Sequence, residues 1–339
     1  MSPLAYGELV NAATIASTGI AIPEQRLTNA DLEARLDTTD EWITDRTGIK
    51  ERRIAGPNET TATLATDACA DAIKAAGLTP LDVELLVVAT ATPEASLPAT
   101  AVFVQDALGL RCGAFDLGAA CSGFAYSLVM VSGLISSGQI GNALIVGSET
   151  LSRIVDPDDR GTAVLFGDGA GAAVVVPAEP GYGLVAWDLG ADGSAANILH
   201  IPGGGSRNPT SAATVANREH FVQMEGREVF KRAVRAVVES AGATLEKAGI
   251  AASEIDVFVP HQANARIVTA VVERLDIDPA KAFMNIERYG NTSAASIPVA
   301  LAEAVASDRI KDGDLVMLSG FGAGMTWGTV LLRWGGAKS

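Results

Sequence analysis

Two stretches of this 339-residue chain repeat one another, and a duplicated unit constrains the fold more than any single motif does. KAAGLTPLDVELLVVATAT (74–92) resembles EKAGIAASEIDVFVPHQAN (246–264). Further on, GAFDLGAACSGFAYSL (113–128) is matched by KAFMNIERYGNTSAASIP (281–298). Both halves read as helix, glycine turn, strand, loop, helix, short strand, polar turn, helix. Chance likeness between alanine-rich segments is the competing explanation. A duplication predicts two similar halves about a pseudo-twofold axis, divided at 1–180 and 181–339. It also places the loops that carry Cys121 and Asn291 in equivalent positions, where they can converge on one site.

The pattern within each half is α/β. Short apolar runs bounded by turn residues (Leu85–Ala91, Ala143–Gly147, Gly171–Val176, Ile255–Val259 and Leu315–Ser319) read as strands buried on both faces. Between them, Thr63–Ala76, Ala99–Leu108, Ser122–Ser137, Glu225–Ala248, Ala263–Leu275 and Ser293–Ser307 read as helices, so helices flank the sheets. Hydrophobic residues make up 48% and charged residues 19%, a globular balance. A net charge of −15 argues against a nucleic-acid binder, which needs a basic face to displace counterions. The apolar runs are far too short to cross a membrane. The first residues lack the basic flank and apolar core of a secretory signal, and three cysteines make a poor disulfide framework, so a cytoplasmic protein is expected.

Three residues stand out chemically. Cys121 follows a short apolar strand and small residues and precedes a helix that opens at Ser122-Gly123, as nucleophile elbows do. A helix N-terminus should lower its thiol pKa. A free cysteine is often only an inert core residue, which suits Cys69 and Cys112 better. Among three histidines, His261 alone sits at a strand's C-terminal end, where α/β folds gather their sites, although a structural histidine would look the same. Asn291, in Gly-Asn-Thr-Ser, would by itself be an ordinary turn.

Together these segments resemble a known family, the β-ketoacyl-acyl-carrier-protein synthases of type III among the thiolase-like condensing enzymes. The motifs are DEWITDRTGIKERR (Asp40–Arg53), the Cys121 segment, DRGTAVLFGDGAGAAVV (Asp159–Val175), VPHQANARI, GNTSAASIP and GFGAGMTWG (Gly320–Gly328). They follow the family's order along almost the whole chain. The resemblance implies a five-layer αβαβα fold, a homodimer, and a decarboxylative Claisen condensation of an acyl-CoA primer with malonyl-acyl carrier protein. Cys121, His261 and Asn291 would be the catalytic set, with backbone N–H groups of Cys121 and Ala323 as the oxyanion site. Thr38, Trp42, Arg46 and Arg160 would bind CoA. Leu97, Leu151, Phe166, Leu199, Val222 and Phe321 would line the acyl pocket, Leu97 by reaching across the dimer. Lys231, Arg232, Arg235 and Arg266 form a basic cluster that would dock an acidic carrier protein.

The mechanism needs no metal or cofactor, because acyl-CoA and malonyl-carrier protein are substrates. A carboxylate at position 291 would suit proton abstraction, whereas asparagine suits enolate stabilisation. Papain-like peptidases also order Cys, His and Asn this way, but the CGSCW-type signature is missing and duplicated α/β halves are not that fold. A scaffold that had lost its chemistry would lack a triad member. Within the family, a polyketide starter-unit enzyme or acyltransferase shares every motif.

Overall fold

The computed structural model describes residues 12–338 and is built on two large sheets with the same plan, beside two small two-stranded ones. In the first, strands run in the order Ala13–Ala21, Asp168–Pro177, Ala143–Thr150, Leu85–Ala89 and Gly113–Leu117; successive pairings are antiparallel, antiparallel, parallel and parallel. The second runs Gly183–Ala191, Thr326–Arg333, Leu315–Gly322 and Val257–Pro260, paired antiparallel, antiparallel and parallel. Its fifth position is taken by Ala282, bridged in parallel to Phe258, with the Phe283 N–H donating to the Phe258 carbonyl at 2.8 Å. Identical order and direction are what a duplicated unit should produce.

The continuous apolar runs follow from burial on both faces. Val87, Ile145, Ala173 and Val175 point toward the centre of the molecule, while Leu86, Val88, Leu144, Val146 and Val174 point outward to a separate core. In the second sheet, Val257, Val259, Val316, Leu318 and Val330 share that central core, and Phe258, Met317 and Leu331 face the other way. Period-two alternation therefore persists, but both sets of side chains are apolar.

Helices complete five layers. Gly123–Ser136 and Ser296–Ala306 lie between the sheets; both are apolar nearly all round, as a doubly covered helix must be. Thr61–Ala75 and Thr100–Leu108 cover the outer face of the first sheet. Gly226–Ala248 and Ala265–Leu275 cover that of the second, and each keeps a polar outer face. Close approach at the centre demands a residue without a side chain: a Cβ on Gly147 would lie 2.1 Å from the Ala294 carbonyl oxygen. Among the described residues, no helix is long and apolar enough to cross a membrane.

Most element ends fall within a few residues of expectation. Ser293–Ala295 departs from it, forming a separate tight turn before the helix that starts at Ser296. Ala120–Ser122 makes the corresponding turn before Gly123. Each turn opens on a residue in the left-handed region, Ala120 at φ +46° and Ser293 at φ +48°. These two strained elbows occupy equivalent places in the halves, and each packs on a strand of the opposite sheet.

Candidate active site

Cys121 sits within the first elbow, buried where the chain turns into the central helix. The second half grips this turn. Ser122 Oγ lies 2.7 Å from the Ala119 carbonyl oxygen and 2.8 Å from Thr326 Oγ1, and Thr326 Oγ1 lies 2.9 Å from the same carbonyl, so the two hydroxyls and the carbonyl form one hydrogen-bonded cluster. Strand Leu315–Gly322 passes so close that a Cβ on Gly322 would lie 2.6 Å from the Cys121 amide nitrogen. The expected lowering of the thiol pKa is not found. Burial pushes it up to about 12; the Ser293 hydroxyl draws it partly down and the Glu149 charge raises it. Desolvation by the surrounding layers outweighs the helix terminus here, so the resting sulfur is a neutral thiol. Cys69 is fully buried and Cys112 half-buried, and burial raises both thiols.

His261 follows the strand Val257–Pro260 directly, its N–H donating to the Ser319 carbonyl at 2.7 Å. Its imidazole is 2% exposed and stands edge-on to Phe321, with ring centroids 5.3 Å apart. Neither ring nitrogen has a partner among the described residues, and burial pushes the pKa down to about 3. The group is thus a neutral imidazole with one unspent N–H. Gln262 holds the loop: its N–H donates to Ser296 Oγ at 2.6 Å, and its side chain bonds Pro260, Phe283 and Asn285.

Asn291 enters from the second elbow. Its N–H donates to the Leu165 carbonyl at 2.8 Å and its carbonyl accepts from Gly167 at 3.0 Å. Its Oδ1 accepts from the Ser293 N–H at 2.9 Å, which commits the acceptor end and leaves the amide NH₂ as the chemical end. A cavity of about 130 Å³ is lined by Cys121, His261 and Asn291 together, with Phe321 and Gly322. The three residues that sequence singled out therefore share one space.

A second cavity, about 250 Å³, also reaches Cys121 and is lined by Leu151, Phe166, Leu199, Val222 and Ala323. Four of the six expected acyl-pocket residues are in it. Phe321 is not: it packs on His261 and lines the smaller cavity, because its strand ends beside the histidine rather than beyond the cysteine. Leu97 is 86% exposed and lines neither of these cavities.

The expected CoA residues also cluster. The Arg160 guanidinium lies 4.9 Å and that of Arg46 5.6 Å from the Trp42 ring centre. Arg160 donates to the Asp37 carbonyl at 2.7 Å, and the neighbouring Thr38 hydroxyl is buried without a partner among the described residues. In the basic cluster, Lys231, Arg235 and Arg266 are exposed, whereas Arg232 is half-buried and paired with Asp192 at 3.0 Å and Glu228 at 3.7 Å. Its charge is largely spent within the chain. Arg274, from the neighbouring helix, joins Lys231, Arg232 and Arg235 around one surface hollow and was not foreseen.

Glu149 was missed altogether. Its side chain is 0% exposed behind the cysteine, and it accepts from Thr92 Oγ1 at 2.6 Å, Thr90 Oγ1 at 3.2 Å, the Ala91 amide at 3.1 Å and the Ala294 amide at 3.4 Å. The available signal was an acid next to the last residue of a strand that opens on an apolar run, ALIVGSET.

Comparison with known proteins agrees with this geometry. Residues 115–193 match the family model described as 3-Oxoacyl-[acyl-carrier-protein (ACP)] synthase III, and residues 245–334 match the model for its C-terminal part. The chain is 51% identical to a beta-ketoacyl-[acyl-carrier-protein] synthase III of Symbiobacterium thermophilum, covering 95% of this chain and 98% of that protein. It is 50% identical to one of Desulfitobacterium hafniense, covering 94% and 97%. The crystal structure of the 3-oxoacyl-[acyl-carrier-protein] synthase III from Aquifex aeolicus superposes with a TM-score of 0.87 at 46% identity, covering 95% of this chain and all of that one. With two like halves, converging elbows and relatives matched end to end, the chain belongs to the β-ketoacyl-[acyl-carrier-protein] synthase III family of thiolase-like condensing enzymes.

Proposed function

We propose that Cys121, His261 and Asn291 carry out a decarboxylative Claisen condensation of an acyl-CoA primer with malonyl-acyl carrier protein, the initiating step of fatty-acid synthesis. In the first half-reaction the Cys121 sulfur attacks the thioester carbonyl and CoA leaves. The N–H groups of Cys121 and Ala323 face the developing oxyanion. In the second, malonyl-carrier protein loses CO₂ and the enolate carbon attacks the acyl-cysteine. One observation carries this reading: a neutral imidazole with no partner and an amide NH₂ share the cysteine's cavity. Two neutral donors suit an enolate oxygen, whereas proton abstraction would need a base.

Trp42, Arg46 and Arg160 suit an adenine and its phosphates by stacking and charge, with Thr38 beside them. Lys231, Arg235 and Arg266 are the cations free to meet an acidic carrier protein, with Arg232 in a supporting place. A second copy of the chain is the expected partner at the edge strand Gly113–Leu117, near which Leu97, Val102 and Phe103 are exposed. Leu97 would then close the partner's acyl chamber. The reaction runs without a cofactor, in the cytoplasm. Incubation with an acyl-CoA followed by mass spectrometry should find the acyl group on Cys121, and addition of malonyl-carrier protein should discharge it as the β-ketoacyl product. An acyl group on Cys69 or Cys112, or none, would overturn the assignment.

A further inference from the structure

Thr326 opens the last strand and pairs across its hairpin with Gly322, so its side chain stands at the base of the Ala323 loop. From there it reaches into the other half of the molecule. Its Oγ1 lies 2.9 Å from the Ala119 carbonyl oxygen, 207 positions away in sequence, and 2.8 Å from Ser122 Oγ. The same oxygen lies 3.3 Å from the carbonyl of Ala323 in its own loop. With the Ser122 contact to Ala119 at 2.7 Å, two hydroxyl protons serve four contacts, so the pair acts as one unit. Both carbonyls adjoin the peptides of interest: Ala119–Ala120 immediately precedes the peptide that carries the Cys121 N–H, and Ala323–Gly324 immediately follows the one that carries the Ala323 N–H. Cys121 and Ala323 line the 250 Å³ cavity, whereas Thr326 lines neither it nor the 130 Å³ one. Any influence of its hydroxyl on the chemistry therefore passes through the backbone.

We infer that Thr326 is a positioning residue that sets the spacing and direction of the two oxyanion amides; this rests on the assignment of the Cys121 and Ala323 N–H groups made above. Packing already brings the two arms together, since a Cβ on Gly322 would lie 2.6 Å from the Cys121 amide nitrogen and 2.9 Å from the Ala120 Cβ. Packing is non-directional, however, and an oxyanion amide must point at one spot. Hydrogen bonds to the neighbouring carbonyls supply that direction. The first arm also needs holding, because Ala120 stands at φ +46°, a left-handed conformation that a residue with a side chain keeps only where its surroundings impose it. On its far side the Ala323 loop is held by paired backbone bonds between Asp192 and Met325, at 2.7 and 2.8 Å. Loss of the Thr326 hydroxyl should thus free the aim of the amides without unfolding the loop. Both acyl-transfer steps pass through a tetrahedral carbon whose oxygen these amides meet, so both depend on Thr326. Decarboxylation places its charge beside His261 and Asn291 and does not.

Thr326→Val keeps the branched shape and removes the hydroxyl, while Thr326→Ser keeps the hydroxyl. In rapid-quench mass spectrometry, the saturating rate of Cys121 acylation in Thr326→Val should fall about a hundredfold, the cost of misplacing a catalytic group. The acyl-CoA concentration at half-saturation should stay at the wild-type value, and Thr326→Ser should recover most of the rate. Release of labelled CO₂ from malonyl-carrier protein without primer should match the wild type in both variants. Isotope-edited infrared spectra of the acyl-enzyme, with carbon-13 at the acyl carbonyl, read the amides directly, because hydrogen bonds to a carbonyl oxygen lower its stretching frequency. The wild-type band should lie below that of the same thioester in an aprotic solvent, and in Thr326→Val it should move back toward it. A wild-type band at the free position would sink the oxyanion assignment itself. A lowered wild-type band that stays unmoved in Thr326→Val would overturn the positioning role alone. So would wild-type loading by that variant, equal losses in the valine and serine variants, or an equal fall in CO₂ release.

Discussion

Replacing His261 by alanine should separate the two half-reactions. The imidazole has no partner on either nitrogen and a pKa pushed down to about 3, so at pH 7 it is protonated only about once in ten thousand molecules. It can serve as a neutral donor but neither as an imidazolium nor as an effective base. Loss of one preorganised donor typically costs about a hundred- to a thousandfold, or ~2.7–4 kcal/mol of transition-state stabilisation. Decarboxylation of malonyl-carrier protein by His261→Ala should fall by that factor. Loading of Cys121, for which backbone donors are proposed instead, should change less than about fivefold. Asn291→Ala should behave alike. The double variant should lose less than the product of the two factors, because both donors address one oxygen. The assay pairs acyl-enzyme mass spectrometry with release of labelled CO₂ from malonyl-carrier protein. Wild-type decarboxylation should also show no limb near pH 6.5. A limb there, or a His261→Ala variant that condenses normally and fails to load, would refute the neutral-donor argument.

Gly322→Ala should nearly abolish loading and lower the melting temperature, since its Cβ would meet the Cys121 amide nitrogen at 2.6 Å; normal loading would show that the strand can yield. Trp42→Ala should raise KM for acyl-CoA several-fold while leaving a truncated acyl-pantetheine thioester unaffected, if the indole and the two guanidinium groups within 5.6 Å of its ring centre serve the adenine end; equal losses on both would count against an adenine site. The 250 Å³ chamber has room well beyond an acetyl group, each buried methylene contributes ~0.8 kcal/mol, and kcat/KM for butyryl- or isobutyryl-CoA should at least equal that for acetyl-CoA. Leu97→Phe should shift that profile toward acetyl, and an unchanged profile would show that Leu97 does not close the chamber of a second copy. His261 also ties stability to pH: as pH falls below 6.5 the unfolded chain protonates first, and the folded one only near 3. Stability present above pH 6.5 is therefore lost across that interval, by up to ~5 kcal/mol at ~1.4 kcal/mol per pH unit. Denaturant melts of His261→Asn should show a shallower loss between pH 7 and 4.

Local pattern was enough for the duplicated unit, the strands Leu85–Ala89, Ala143–Thr150 and Leu315–Gly322, and the elbow at Cys121. Those features depend on periodicity, turn residues and chain order, all of which are carried by neighbouring positions. Strands Ala13–Ala21, Gly183–Ala191 and Thr326–Arg333 escaped notice because glycine and threonine interrupt them. The third dimension explains such glycines: a Cβ on Gly19 would lie 2.3 Å from the Ala68 carbonyl oxygen of the helix packed above. The sign of the Cys121 shift could not be read from an elbow motif, since desolvation sums over layers drawn from both halves and exceeds a helix terminus only one turn away. Likewise, the contact of Phe321 with His261, the pairing of Arg232 with Asp192 and the cage around Glu149 join residues 40 or more positions apart. Which residues could react was therefore written along the chain, while their protonation states and partners were decided by what the fold packed around them.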